Sequence, residues 1–217
     1  MKADQTTAVM MQYRADMYMF FSRLFILEVD EKLLAGMKHM KFPEVGVDTD
    51  FYTGYEMLKA WLEDHDTGDI TDLEVDYARI FLAAGVAQGL AAFPYESVYT
   101  NKKHLMNQEA SDDVTILYAA KGLEARKDMY RVPNDHISLE FEYMARLCKD
   151  AEAAANHGDE TGVADSINEQ KAFCRNHLKR WVTLFSNDVI KYARTDFYKA
   201  IGILCRGFIR EEISFLA

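Results

Sequence analysis

The stretch RVPNDHISLEFEYMARL, residues 131–147, decides how the rest of the chain is read. Beyond Pro133, the residues Ile137, Phe141, Met144 and Leu147, with Cys148 next, recur at steps of three and four. That spacing lays apolar side chains along one face of an α-helix. Asn134 or Asp135 stands where an N-cap is needed to accept the helix's free N–H groups, and acids suit the positive helix end. A second junction, FPYESVYTNKKHLM at 93–106, sets Pro94 ahead of Tyr95, Glu96 and Tyr99. The chain has only 3 prolines, and two of them introduce these junctions. In each, a carboxylate lies beside an aromatic or imidazole ring at the approach to a helix.

The same period extends in both directions. Tyr13, Met17, Phe20, Phe21, Leu24 and Phe25 predict a first helix over 7–28, and Leu33, Leu34, Met37 and Met40 a short second one after Asp30. Phe51, Tyr55, Leu58, Trp61 and Leu62 mark a third helix. Thr71 and Glu74 read as a capping box opening a fourth. A further helix is expected over 111–126. After NHGDETG comes one carrying Ile167, Gln170, Phe173, Cys174, Leu178, Trp181 and Phe185, ending near Ser186 or Asn187. The last holds Phe197, Ile201, Leu204 and Phe208. KFPEVGVDTD and AAGVAQGLAAFPY are expected loops. No stretch alternates as a strand would. The expectation is an all-α bundle of about eight or nine helices, one domain over 1–217.

Composition agrees. Hydrophobic residues make up 49% of the 217, with 11 Gly and few turn formers. The formal charge of −10 argues against nucleic acid, whose phosphates need Lys and Arg, and suits basic partners. Cys148, Cys174 and Cys205 are far apart and lack a CxxC, which reads as reduced thiols. The N-terminal stretch carries acids among its apolar residues and does not read as a secretory signal. No apolar run approaches about 18 residues. The expected location is the cytoplasm.

Enzyme signatures are sparse. There is no P-loop, no Glu-x-x-His pair and no HExxH. Cys174 and His177, three apart, have the spacing of a nucleophile and base, but Cys174 lies on an apolar face as a small hydrophobe. Asp135, His136 and Glu140 offer three ligating groups at one helix start, the basis of a reading as a helical metal- or nucleotide-dependent enzyme. A groove with acids at its rim and aromatics on its floor would instead hold a peptide with arginines followed by apolar residues.

Four segments together resemble one family. FSRLF (21–25), DYARIFL followed by PYESVYTNKK, VPNDHISLEFEYMARL, and FCRNHLKRWVTLFSNDV, in that order over about 10–210, are similar to the TorD/DmsD family of redox-enzyme maturation chaperones. The resemblance implies a cytoplasmic all-helical chaperone and no catalysis. Its partner would be the twin-arginine leader of an apo molybdenum-cofactor oxidoreductase, of the dimethyl sulfoxide or trimethylamine N-oxide reductase type, held until cofactor insertion and before export. A nitrate-reductase-type assembly chaperone for a non-exported enzyme is the alternative. Asp135 and His136 match the family's Asp-His pair, and Pro94 and Tyr95 its proline–aromatic pair. Glu96, Tyr99 and Pro133 fall at motif positions, and Glu140 and Asp112 are further acids for a leader's arginines. No cofactor is expected, save the weak guanine-nucleotide binding that the resemblance implies. Some members put an indole at Tyr95 and a small residue at Glu96. A monomer or a domain-exchanged dimer fits the helices and their connections.

Overall fold

In a computed structural model, residues 3–40, 48–66, 68, 70–82, 89–125 and 131–217 are described. The regular elements among them are helices, with no strand. The helices are α1 (Ala3–Ile26), α2 (Glu31–Met37), α3 (Thr49–Asp64), α4 (Thr71–Phe81), α5 (Glu96–Thr100), α6 (Glu109–Ala120), α7 (Ile137–Asn156), α8 (Glu160–Phe173), α9 (Lys179–Tyr192) and α10 (Asp196–Phe215). A π-turn, Cys174–Leu178, joins α8 to α9 without a break. Counting that run once gives nine rods among the described residues, as the all-α reading expected. None of these helices is long and apolar enough to cross a membrane. Most of the two expected loops, at 41–47 and 83–88, lies outside the described residues.

Contacts divide the chain into two compact units. The first comprises 1–26, 95–180 and 216–217; the second comprises 27–94 and 181–215. In the first unit, α7 packs against both α1 and α8. The apolar stripe that opened the sequence reading supplies Phe141, whose ring lies 5.5 Å from Tyr18 and 6.2 Å from Phe21. Each such aromatic contributes roughly 1.5–3 kcal/mol when fully buried. Polar ties fix the register of the three helices. Ser138 Oγ donates to Ser22 O at 2.9 Å, and Arg14 Nη1 donates to Gln170 Oε1 at 2.6 Å.

In the second unit, α10 lies on α3. Glycine permits that approach, because a Cβ at Gly207 would stand 2.6 Å from Phe51 Cα, and one at Gly54 2.7 Å from Leu204 Cα. The buried carboxylate of Asp76, on α4, accepts from Arg194 N (2.9 Å), Thr195 N (2.8 Å) and Thr195 Oγ1 (2.8 Å) at the start of α10.

Three local expectations are corrected. The Thr71/Glu74 capping box does not form: Ile70 is the N-cap of α4 and makes no side-chain bond, while Glu74 N donates to Ile70 O at 2.9 Å. Helix α9 does not stop at Ser186 or Asn187 but runs to Tyr192, because Ser186 and Val189 are buried on the face that Trp181 and Phe185 begin. Helix α6 spans Glu109–Ala120 instead of 111–126, and the turn at Gly122, with φ of 65°, follows it.

The glycine seam gives a test. Gly207→Ala should lower unfolding stability by about 1–3 kcal/mol, since backbone, not a flexible side-chain end, stands in the way. Gly36→Ala, where a Cβ meets nothing within 4 Å in α2, should be neutral or stabilising by up to about 1 kcal/mol. Urea unfolding followed by circular dichroism compares the two; equal midpoints would contradict the close approach.

Candidate functional site

Helix α5 has five residues, too few to hold itself together, since nucleation is unfavourable and short helices are marginal in water. Its N-cap, Tyr95, is extended and offers no side-chain bond. The cap comes from Asp135. Its carbonyl accepts from Glu96 N at 3.0 Å, and its Oδ2 accepts from Ser97 N at 2.9 Å. Tyr95 and His136 form an isolated antiparallel bridge, with their rings edge to face at 5.1 Å. The two proline-led junctions of the sequence are therefore joined through Tyr95–Ser97 and Asp135–His136.

This corrects the expected capping of α7. Neither Asn134 nor Asp135 caps it. His136 does, with Nδ1 accepting from Ser138 N at 3.2 Å. An imidazole that accepts at Nδ1 must be neutral there. Burial enforces this, pushing the His136 pKa down from its ordinary value to about 3. Asn134 turns its amide to Thr115 Oγ1 at 2.7 Å, and its carbonyl accepts from Tyr118 OH at 3.2 Å.

The acids do not form a rim. Glu96, Asp135 and Glu140 are all fully buried, because each sits in or before the first turn of a helix whose inner face it shares. Their charge is felt by Tyr118, whose hydroxyl pKa is held well above normal by burial first, then by Glu140, Asp135 and Glu96. Tyr95 is raised by burial and by Asp135. Tyr95, Tyr99 and Pro133 are half-buried, Asp112 is exposed, and Pro94 is buried in the second unit.

One partner was not anticipated. His177 Nδ1 lies 2.8 Å from Glu96 Oε2, with the imidazole donating. The π-turn makes this possible. A π-turn takes in an extra residue and re-aims side chains, often at functional sites. His177 is buried and stacks on Phe173 at 4.7 Å between ring centres. On the next turn, Arg180 Nη1 is 3.6 Å from Glu96 Oε1, beyond hydrogen-bond length. Glu96 Oε1 and Asp135 Oδ1 are both buried and accept no hydrogen bond. The available sequence signal was the His-Leu-x-x-Trp stretch at 177–181. Cys174, as expected, is a buried free thiol on the apolar side.

Among the described residues, no group of three or more His, Cys, Asp or Glu is placed to hold a metal ion. Asp135, His136 and Glu140 do not converge as ligands. Asp135 Oδ2 and His136 Nδ1 are already engaged with backbone N–H groups.

The neutral cap predicts acid sensitivity. Unfolded, the His136 imidazole titrates near 6.5; folded, it stays neutral down to about 3. Its folded pKa is the lower, so stability is complete above about 6.5 and is lost as pH falls toward 3. Between pH 7.5 and 5 the loss from this residue should be about 1–2 kcal/mol. His136→Asn keeps a capping oxygen and should flatten that slope, measured as urea midpoints at the two pH values. An unchanged slope would show that His136 is not the titrating group.

Comparison with known proteins adds three findings. A protein-family model described as "Nitrate reductase delta subunit" matches residues 46–187. The chain is 25% identical over 217 residues to a chaperone protein TorD of Shewanella pealeana, covering 94% of this chain and 90% of that one. It is 22% identical over 216 residues to a chaperone protein TorD of Vibrio parahaemolyticus, covering 94% of each.

Proposed function

The chain belongs to the nitrate reductase delta subunit family, within its TorD-like group of redox-enzyme maturation chaperones, and from that premise we propose that it binds the twin-arginine leader of an apo molybdenum-cofactor oxidoreductase through the α5–α7 junction. The observation that carries this reading is a pair of enclosed carboxylates, Glu96 and Asp135, each with one oxygen that accepts no hydrogen bond. A buried charge without its full set of partners is costly. A guanidinium brings a planar fork of donors and a full charge, and satisfies such oxygens better than an ammonium does. Tyr95 and Tyr99 give the apolar part of the leader a half-buried aromatic surface beside them.

In this reading Asp135 has two duties, holding α5 by its carbonyl and Oδ2 and presenting Oδ1. His136 is a positioning residue: it caps α7, braces Tyr95 and does not need to touch the peptide. Pro133 and Glu140 shape and charge the start of α7, and Pro94 sets the chain direction into Tyr95. The client is of the dimethyl sulfoxide or trimethylamine N-oxide reductase type, and the chaperone acts in the cytoplasm, holding the apoenzyme for cofactor insertion before export. The family description favours a second reading, assembly of a nitrate-reductase-type enzyme that is not exported. The two differ in client and not in the binding chemistry.

The test is calorimetric titration with a synthetic peptide carrying two adjacent arginines and the following apolar stretch. Asp135→Asn keeps an oxygen for the Ser97 N–H and removes the charge. It should weaken binding about tenfold or more, as loss of a charge-assisted bond implies, with the circular dichroism spectrum and melting midpoint nearly unchanged. Undiminished affinity in the folded variant would remove Asp135 from the site.

A further inference from the structure

Beside the Glu96–His177 pair lies a cavity of about 420 Å³, bounded by Leu117 and Ala120 of α6, Tyr143 of α7, and Ala172 and Phe173 of α8, with His177 at one wall. It is chiefly apolar and aromatic, and the Lys121–Glu169 ion pair, 2.6 Å long, stands at its edge. His177 is common to the cavity and to the carboxylate: its ring stacks on Phe173, and its Nδ1 holds Glu96 Oε2. The other carboxylate oxygen, Oε1, is enclosed and accepts no hydrogen bond. Its neighbouring cation is Arg180, at 3.6 Å, whose side chain is 51% exposed and is otherwise tied by one bond, Nη1 to Asn176 O at 3.2 Å.

We propose that this cavity and Glu96 Oε1 form a two-part subsite for a leader's arginine and a following apolar side chain, and that Arg180 occupies the arginine's place until the peptide arrives. The proposal rests on the leader-binding reading above and makes it specific. Two observations select the occupant. An enclosed carboxylate oxygen that already has a guanidinium near it, too distant for a hydrogen bond, calls for a second guanidinium that can come closer. A chiefly apolar cavity that shares His177 with it calls for an apolar side chain. A peptide with an arginine followed by apolar residues carries both groups on one chain. Arg180 can yield, because at 3.6 Å it makes no hydrogen bond to Glu96 and its half-exposed head group returns to water. His177 keeps Glu96 Oε2 engaged throughout, so the carboxylate is not left bare during the exchange.

The experiment measures fluorescence anisotropy of a labelled peptide with two adjacent arginines followed by an apolar stretch, and of the same peptide with the apolar residues changed to Ser. Proteins are the wild-type chain, Arg180→Ala and Ala172→Trp; both substitutions fall at exposed positions. Arg180→Ala removes the competitor and should tighten the native peptide by about threefold to fivefold, the scale of displacing a long, non-hydrogen-bonded ion contact. Ala172→Trp fills the cavity. It should weaken the native peptide about tenfold or more, as loss of one buried apolar side chain implies, and leave the Ser peptide within about twofold of its wild-type affinity, since that peptide buries nothing there. The proposal is overturned if the peptide binds the wild type but Arg180→Ala weakens or does not change it. Equal losses for both peptides in Ala172→Trp would overturn it too. Both outcomes leave leader binding through Asp135 standing; failure of the wild type to bind the native peptide would sink the two together.

Discussion

Asp135 holds the candidate site together. Its carbonyl and one carboxylate oxygen accept the first two N–H groups of α5, and the N-cap residue Tyr95 makes no side-chain bond to that helix end. A five-residue helix has almost no intrinsic stability, so Glu96, Ser97 and Tyr99 take their places because Asp135 is there. Ser97 Oγ in turn accepts from Gln108 N at 3.1 Å, which extends the tie from α7 through α5 to the start of α6. Asp135 can serve in this way only because α7 is capped by another residue. His136 takes that duty with a neutral imidazole, which frees the carboxylate beside it.

The second constraint is the crowding of three carboxylates in a buried region. Like charges so placed repel, and each pays for lost hydration. The structure answers with His177 on Glu96, with backbone N–H groups on Asp135, and with a tyrosine hydroxyl, Tyr118, that stays protonated against their combined field. What is left over includes one oxygen each on Glu96 and Asp135. A surface acid would satisfy itself with water; an enclosed one keeps its demand for a donor until a partner brings one. In the proposed binding mode, that difference places the chemistry inward of where an acidic rim would have put it.

The π-turn is the device that couples the two halves of the proposed subsite. In a regular helix, residues three and four apart share a face, and Cys174 and His177 would point alike. The wider turn lets Cys174 remain in the apolar interior while His177 reaches Glu96. Phe173, one residue before the turn, supplies the ring on which the imidazole stacks and also one wall of the cavity.

Much of this protein is written locally. The steps of three and four through 137–148 dictate α7, the stripe through Met17, Phe21 and Leu24 dictates the face of α1 on which Phe21 meets Phe141, and Asp30 caps α2 as its type suggests, with Oδ1 accepting from Leu33 N at 2.7 Å. The charge of −10 and the Asp135–His136 pair likewise stand in the sequence. Helix ends were less legible, at Thr71, Ser186 and residue 120, because a cap is a contest among neighbouring residues that burial settles. The partners of the buried polar groups were not legible at all. Asp135 meets Ser97 across 38 positions and Glu96 meets His177 across 81. Periodicity is a property of consecutive residues and can be read from them. Which donor faces a buried carboxylate depends on which helix packs opposite, and only the tertiary structure decides that.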